Sequence, residues 1–275
     1  YLDDQSWWKK QGLAVRQPAA AVLTKDIEGR KATAYNDMDY YSDTGKSVYR
    51  PAWTLEALQK HENFSYVPHH IVESLREESS GTTVLGHHAN QKTPFALSAR
   101  HVILCAGAIG SARILVRSKH CEEPVPFLSK PHAFIAAMHW KMLGKQGPKE
   151  RTSLCQLVIE PTEPDAHAFC TQLYGYRSML LFRLIASLPV PAPIALTLAA
   201  LLSPALVIAD VRFCCASGTN GTLRWNTERN LCEVDVHTTP EDVASRDAAL
   251  HTTKRALRKL GATPVRTLLL PEGSS

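Results

Sequence analysis

The sequence predicts an α/β chain of the α+β kind, with antiparallel sheets and helices packed on them. Three observations carry that prediction. Short apolar runs of strand period follow one another between Asn63 and Leu104. A continuous apolar run, Val102, Ile103 and Leu104, then passes through Ala106, Gly107 and Ala108 directly into a helical pattern. The second half sets down further strand-like runs before one strongly signalled helix that starts after Thr239. At 275 residues and 44% apolar, the chain can bury a sizeable core, as one large domain or two smaller ones.

Taken in order, the first fifty residues hold alternating apolar positions without firm boundaries, and DMDYYSDTGKSVYRPAW reads as loop. A short helix is expected to begin at Thr54, whose hydroxyl can cap it, with Leu55 and Leu58 on one face. The runs FSYV, HHIVESL, TTVLGHH and TPFALSA, broken by turns in REESSG and ANQK, build a small antiparallel sheet. That sheet feeds HVILC, a strand expected to be covered on both faces. The helix after it sets Ile109, Ala112, Leu115 and Val116 on one face.

Farther along, TSLCQLVIEP, ALVIADVRF, GTLRWN and LCEVDVH are strand-like, and RWNTERNLCEV reads as a hairpin turning within Asn226 to Asn230. The final helix carries Thr239 as cap, Pro240 at its first position, Glu241 and Asp242 in its positive first turn, and Gly261 just past its end. Val243, Leu250 and Leu257 recur on its core face.

Composition narrows the function classes. Basic residues exceed acidic ones by 31 to 26 but are scattered, apart from Lys254 to Lys259, which reads as a solvated helix face and not as a nucleic-acid patch. Seven cysteines, at 105, 121, 155, 170, 214, 215 and 232, include no C-x-x-C pair, which fits a reducing, cytoplasmic compartment. Cys214 and Cys215 read as core thiols. His69 with His70, and His87 with His88, are neighbours on strands and so point to opposite faces, which disfavours a shared metal. The five tryptophans are too dispersed to form a stacking platform.

From Leu184 to Ala209 the chain carries no charge over 26 residues. Prolines at 189, 191, 193 and 204 interrupt it and leave Ile194 to Ser203 as the longest uninterrupted stretch, too short to cross a bilayer. Two readings stay open: a buried helix between proline-rich turns, or an apolar channel lining or surface resting peripherally on a membrane.

The segments RPAWTLEAL, ENFSYVPHHIVESL and FALSARHVILCAGAIGSARILVRS together resemble the glucose-methanol-choline oxidoreductases, flavoenzymes that oxidise alcohols. The resemblance covers residues 49 to 118 well and the remainder loosely. Within the family's second signature the chain supplies Gly107, Ala108, Ser111, Ile114, Leu115 and Ser118, and departs at Ala112 and Lys119. The resemblance implies a partial FAD-binding, Rossmann-like domain over 1–120. It implies an antiparallel-sheet substrate domain covered by helices over 121–275, whose last strand returns toward the first domain.

It also implies that Val72 contacts the adenine, and that Cys105, Ala106, Gly107, Ala108 and Ser111 form the turn beside the adenosine part of FAD. His132 falls where the family often carries His or Asn; the alternative is a histidine satisfied within the fold. Cys105 reads as small-residue packing beside the turn. No G-x-G-x-x-G phosphate loop occurs in the chain, and PEGSS stops before the position of the family's catalytic histidine. The expectation is therefore an internal piece of a longer enzyme, with the phosphate loop before Tyr1, the base beyond Ser275, no catalytic residue or metal of its own, and an apolar alcohol as substrate.

Overall fold

A computed structural model describes residues 5–19, 21–32, 45–119, 123–145, 155–163, 168–175, 189–213 and 221–269. Its elements are α1 (Gln5–Lys10), β1 (Leu13–Arg16), α2 (Pro51–Leu58), β2 (His70–Glu78), β3 (Gly81–His88), β4 (Pro94–Ala99), α3 (Gly107–Ser118), β5 (Val125–Phe127) and β6 (His132–Met138). There follow β7 (Leu157–Pro161), β8 (Phe169–Tyr174), α4 (Ala192–Leu202), β9 (Leu206–Phe213), β10 (Gly221–Asn226), β11 (Leu231–Val236), α5 (Pro240–Lys259) and β12 (Thr263–Leu269). Helices and antiparallel sheets mix, as the α/β prediction requires.

The chain divides into two compact units, residues 1–51, 130–218 and 238–275 forming one and 52–129 with 219–237 the other. The division differs from a single cut at 120. Residues 219–237 join the second unit because β10 pairs with β5, with Leu223 buried between neighbours.

The first unit is built on a six-stranded sheet of order β1-β7-β8-β9-β6-β12, with antiparallel neighbours throughout. Alternation sends Ala133, Ile135 and Ala137 of β6, and Ala209, Val211 and Phe213 of β9, to the face that α5 covers. The buried side of α5 is made largely of small residues, Ser245, Ala249, Thr253 and Ala256, beside Leu250 and Leu257. Val243, expected on the core face, is half-buried.

Small side chains let the helix backbone approach the sheet, and there the Thr253 and Thr171 hydroxyls meet at 2.8 Å with neither residue exposed. The caps form as predicted. Thr239 accepts from the Asp242 N–H while Asp242 takes the Thr239 N–H, and Gly261, at φ +79°, closes the C-terminus through Gly261 N–H to Arg258 O and Ala262 N–H to Leu257 O.

The basic run holds α1 in place: Lys259 lies 5.5 Å over the Trp7 ring, Arg255 hydrogen-bonds Gln11, and Trp8 is buried in the core. α1 and β1 lie where the sequence offers no firm boundary.

In the second unit, β2, β3 and β4 form the predicted antiparallel meander, and β11, β10 and β5 form a second three-stranded sheet. The hairpin turn lies at 227–230, with the Arg229 N–H on the Asn226 side chain. Several expectations are corrected. α2 starts at Pro51 and not at Thr54, since proline's fixed φ suits a first helical position. FSYV is irregular, held by a turn from the Phe64 N–H to His61 O.

HVILC joins no ladder and Ile103 is 86% exposed, because every strand pair among the described residues is antiparallel and none includes 101–105. α3 buries Ile114 and Val116 and leaves Ile109 and Leu115 exposed, so its packed face is rotated from the expected one. α4 is no buried helix: Ile194, Leu196, Leu198 and Leu201 are exposed, while Ala195 is buried. No helix among the described residues is long and apolar enough to cross a membrane.

Thr171→Val or Thr253→Val alone strands a buried hydroxyl and is expected to cost about 1–3 kcal/mol in urea unfolding, whereas the double valine variant recovers most of that loss. Simple additivity of the two losses would show that the hydroxyls do not act as a pair.

Candidate functional site

The residues singled out around the bend lie together at the start of α3. Cys105, Ala106, Gly107 and Ala108 are exposed, and Ser111 is half-buried one turn into the helix. Gly107 sits at φ +77°, a conformation costly for a residue with a Cβ, and a Cβ built there would meet nothing within 4 Å. The Ser111 hydroxyl accepts from the Ala106 N–H at 3.2 Å and so ties the bend to the helix. No side chain caps the helix N-terminus and no acid occupies its first turn, which leaves first-turn N–H groups facing outward. The result is a bare, open ledge of main chain at the positive end of a helix. The exposure of Cys105 corrects the packing role expected for it.

Val72 is half-buried on β2, opposite Gly86, where the β2–β3 register shifts. The other end of α3 is what holds it to β2: the Leu75 N–H donates to the Ser118 hydroxyl at 2.7 Å, and Arg117 pairs with Glu73 at 2.9 Å. Glu73 also meets His87 Nδ1 at 3.3 Å, and Arg117 stacks 5.3 Å over Trp225 of β10. These residues carry no sequence motif, since only the register of β2 against β3 and the approach of α3 assemble them. None of the described hydrogen bonds or ion pairs joins Val72 to the bend.

On the first unit's sheet, the face away from α5 grades from apolar to polar along the strands. Met138, Leu206 and Ile208, with Phe134 and Tyr174 against them, make the apolar end. At the polar end the buried Asp210 carboxylate takes His132 Nδ1 and Arg212 Nε, each at 3.1 Å. His132 is thus satisfied within the fold. Its partner lies 78 residues away, a pairing made by the β6–β9 register, which sets Phe134 beside Asp210 and His132 beside Arg212.

Burial pushes the Cys155 and Cys170 thiols upward, away from the reactive thiolate form. His70 packs edge-on against His88 and Phe95, an aromatic contact across the meander, while His69 lies just before β2 at φ +61°. Cys121, Cys214, Cys215 and the terminal PEGSS lie outside the described residues.

Burial also pushes the Tyr174 phenol up from 10.0 to about 12. The unfolded chain therefore releases this proton at a lower pH than the folded protein. Folded stability is unaffected by the group below that range and falls as pH rises through it. Tyr174→Phe is expected to flatten the decline of the urea midpoint between pH 10.0 and about 12 relative to the parent chain; parallel declines would contradict the burial of the phenol. Compared with protein-family models and with curated protein sequences, the chain matches none.

Proposed function

We propose that the chain is part of an FAD-dependent oxidoreductase acting on the CH–OH group of an apolar alcohol. The observation that carries this reading is the open ledge at Cys105 to Ala108. Main chain without bulky side chains is exposed there, the positive φ requires glycine, and free space lies above it, which suits the close approach of a flat nucleoside ring. The uncapped, acid-free start of α3 adds a favourable field for nearby negative charge. The apolar run at 102–104, unpaired among the described residues and exposed at Ile103, offers its backbone to a further strand.

When bound, FAD supplies the acceptor for the hydride leaving the carbinol carbon. The chain's own part is to bind and orient. Ala106, Gly107 and Ala108 offer main chain to the adenosine portion, Ser111 holds their conformation, and Val72 offers an apolar contact to the adenine. The cell compartment is proposed to be the cytoplasm.

The exposed apolar side of α4 favours a second reading, a non-catalytic module that binds a lipid or partner, with peripheral membrane contact through 184–209. The protein encoded by the complete reading frame is expected to show the visible absorption bands of oxidised flavin and to oxidise hexanol in preference to glucose. Gly107→Val is expected to lower its flavin content while leaving the circular dichroism spectrum intact. Sedimentation with lipid vesicles by a flavin-free protein would instead support the second reading.

A further inference from the structure

α4 has no polar face. Of its 11 residues only Thr197 carries a polar side chain, and Ile194, Leu196, Leu198 and Leu201 are exposed while Ala195 is buried. Leu196 is 59% exposed. A helix that is apolar all round belongs in a core or in lipid, and α4 is not in the core. The turn at Trp140–Met142 adjoins its C-terminal end, where the Gly144 N–H donates to Leu201 O at 3.1 Å. Trp140 and Leu143 are exposed on that turn and extend the apolar surface.

Hydrogen bonding on this surface is directed inward, and that favours hydrocarbon over a protein partner as its occupant. The Thr197 hydroxyl donates to Pro193 O at 2.9 Å, one turn back along the helix. Helix starts ordinarily leave N–H groups unpaired, but Pro191 and Pro193 have none, and the Ile194 and Ala195 N–H groups both donate to Pro191 O at 3.0 Å. A protein partner can supply hydrogen bonds and bilayer hydrocarbon cannot, so a surface that spends them on itself suits hydrocarbon.

Charge points to the kind of lipid. Lys141 and Lys145 are exposed in the same segment as Trp140, and neither 139–145 nor 189–205 contains an Asp or Glu. An indole at the edge of an apolar surface, with ammonium groups beside it, matches the boundary between acyl chains and anionic headgroups. At 1.5 Å per residue α4 is about 16 Å long, roughly half the hydrocarbon thickness, so it can lie in the interface and cannot cross.

We propose that α4 and the Trp140 turn dock the protein on an anionic bilayer, with Leu196, Leu198 and Trp140 entering the interface and Lys141 and Lys145 meeting the headgroups. The proposal rests on the membrane contact of the second reading, names its residues and its lipid, and is independent of the flavin assignment.

The test is sedimentation of the protein encoded by the complete reading frame with vesicles of phosphatidylcholine alone and of an equal mixture with phosphatidylserine. Binding to the mixed vesicles is expected to be about tenfold tighter, with the difference lost in high salt. Leu196→Glu is expected to weaken binding to both vesicles about tenfold or more. The double variant Lys141→Gln with Lys145→Gln is expected to bring mixed-vesicle binding down to the phosphatidylcholine level. Brominated phosphatidylcholine is expected to quench part of the tryptophan fluorescence, and Trp140→Phe to remove that part. Leu143→Glu repeats the apolar test from the neighbouring turn if Leu196→Glu fails to fold. Vesicle binding that survives both glutamate variants would overturn this surface while sparing the second reading, and no binding to either vesicle would overturn both. Equal binding to the two vesicles would overturn the anionic preference. Self-association without lipid that Leu196→Glu abolishes, in a protein that ignores vesicles, would give the surface to a second copy of the chain instead.

Discussion

The close seating of α5 on the six-stranded sheet is the constraint on which the first unit depends. A helix can approach a sheet this closely only where its inner residues are short, and Ser245, Ala249, Thr253 and Ala256 supply that. The Thr171 and Thr253 hydroxyls, both fully buried where helix meets sheet, satisfy each other. The capping box at Thr239 and the glycine closure at Gly261 set the helix's length. That length fixes where β12 leaves to become the edge strand beside β6, so helix ends and sheet order are one problem with one solution.

The opposite face of the sheet is packed too: Met138, Leu206 and Ile208 are buried with Ala205 against Met142 and Leu202, and Asp210 is buried beyond them. Strand alternation sorts Asp210, His132, Arg212 and Gln172 onto the same face as Ile208 and Tyr174, and register orders them from polar to apolar. Such a face is unsuited to a second helix of ordinary amphipathic kind at its polar end.

The second unit obeys a different constraint, the anchoring of α3 by its C-terminal end. Glu73, His87, Arg117 and Trp225 come from three strands and the helix, and they clamp that end through charge and ring stacking. The N-terminal end is left free, with an exposed bend whose glycine has room above it. An anchored helix with an open, positively polarised start is a stable platform, and in the proposed flavoenzyme that platform meets the adenosine portion of the cofactor.

The sequence by itself determined what depends on neighbours along the chain. The meander of β2, β3 and β4, the hairpin of β10 and β11, and both caps of α5 rest on strand alternation, turn residues and local hydrogen bonds, and all of these were legible. So was the identity of the bend residues, because the need for glycine at Gly107 is a property of its own backbone.

Tertiary structure alone decided which apolar segments are covered. Ile103 read as core because it is apolar, and the stretch that forms α4 left a buried helix and an exposed apolar surface both open; burial requires a facing partner, and Ile103 and the outer side of α4 are exposed. It also decided that Asp210 meets His132 across 78 residues and that Glu73 meets Arg117, since contacts between distant segments are set by register and packing and leave no periodicity in the chain. Short polar residues on the inner face of α5 escaped the pattern for a related reason. Serine and threonine read as surface in a sequence, and only a close neighbour makes them interior.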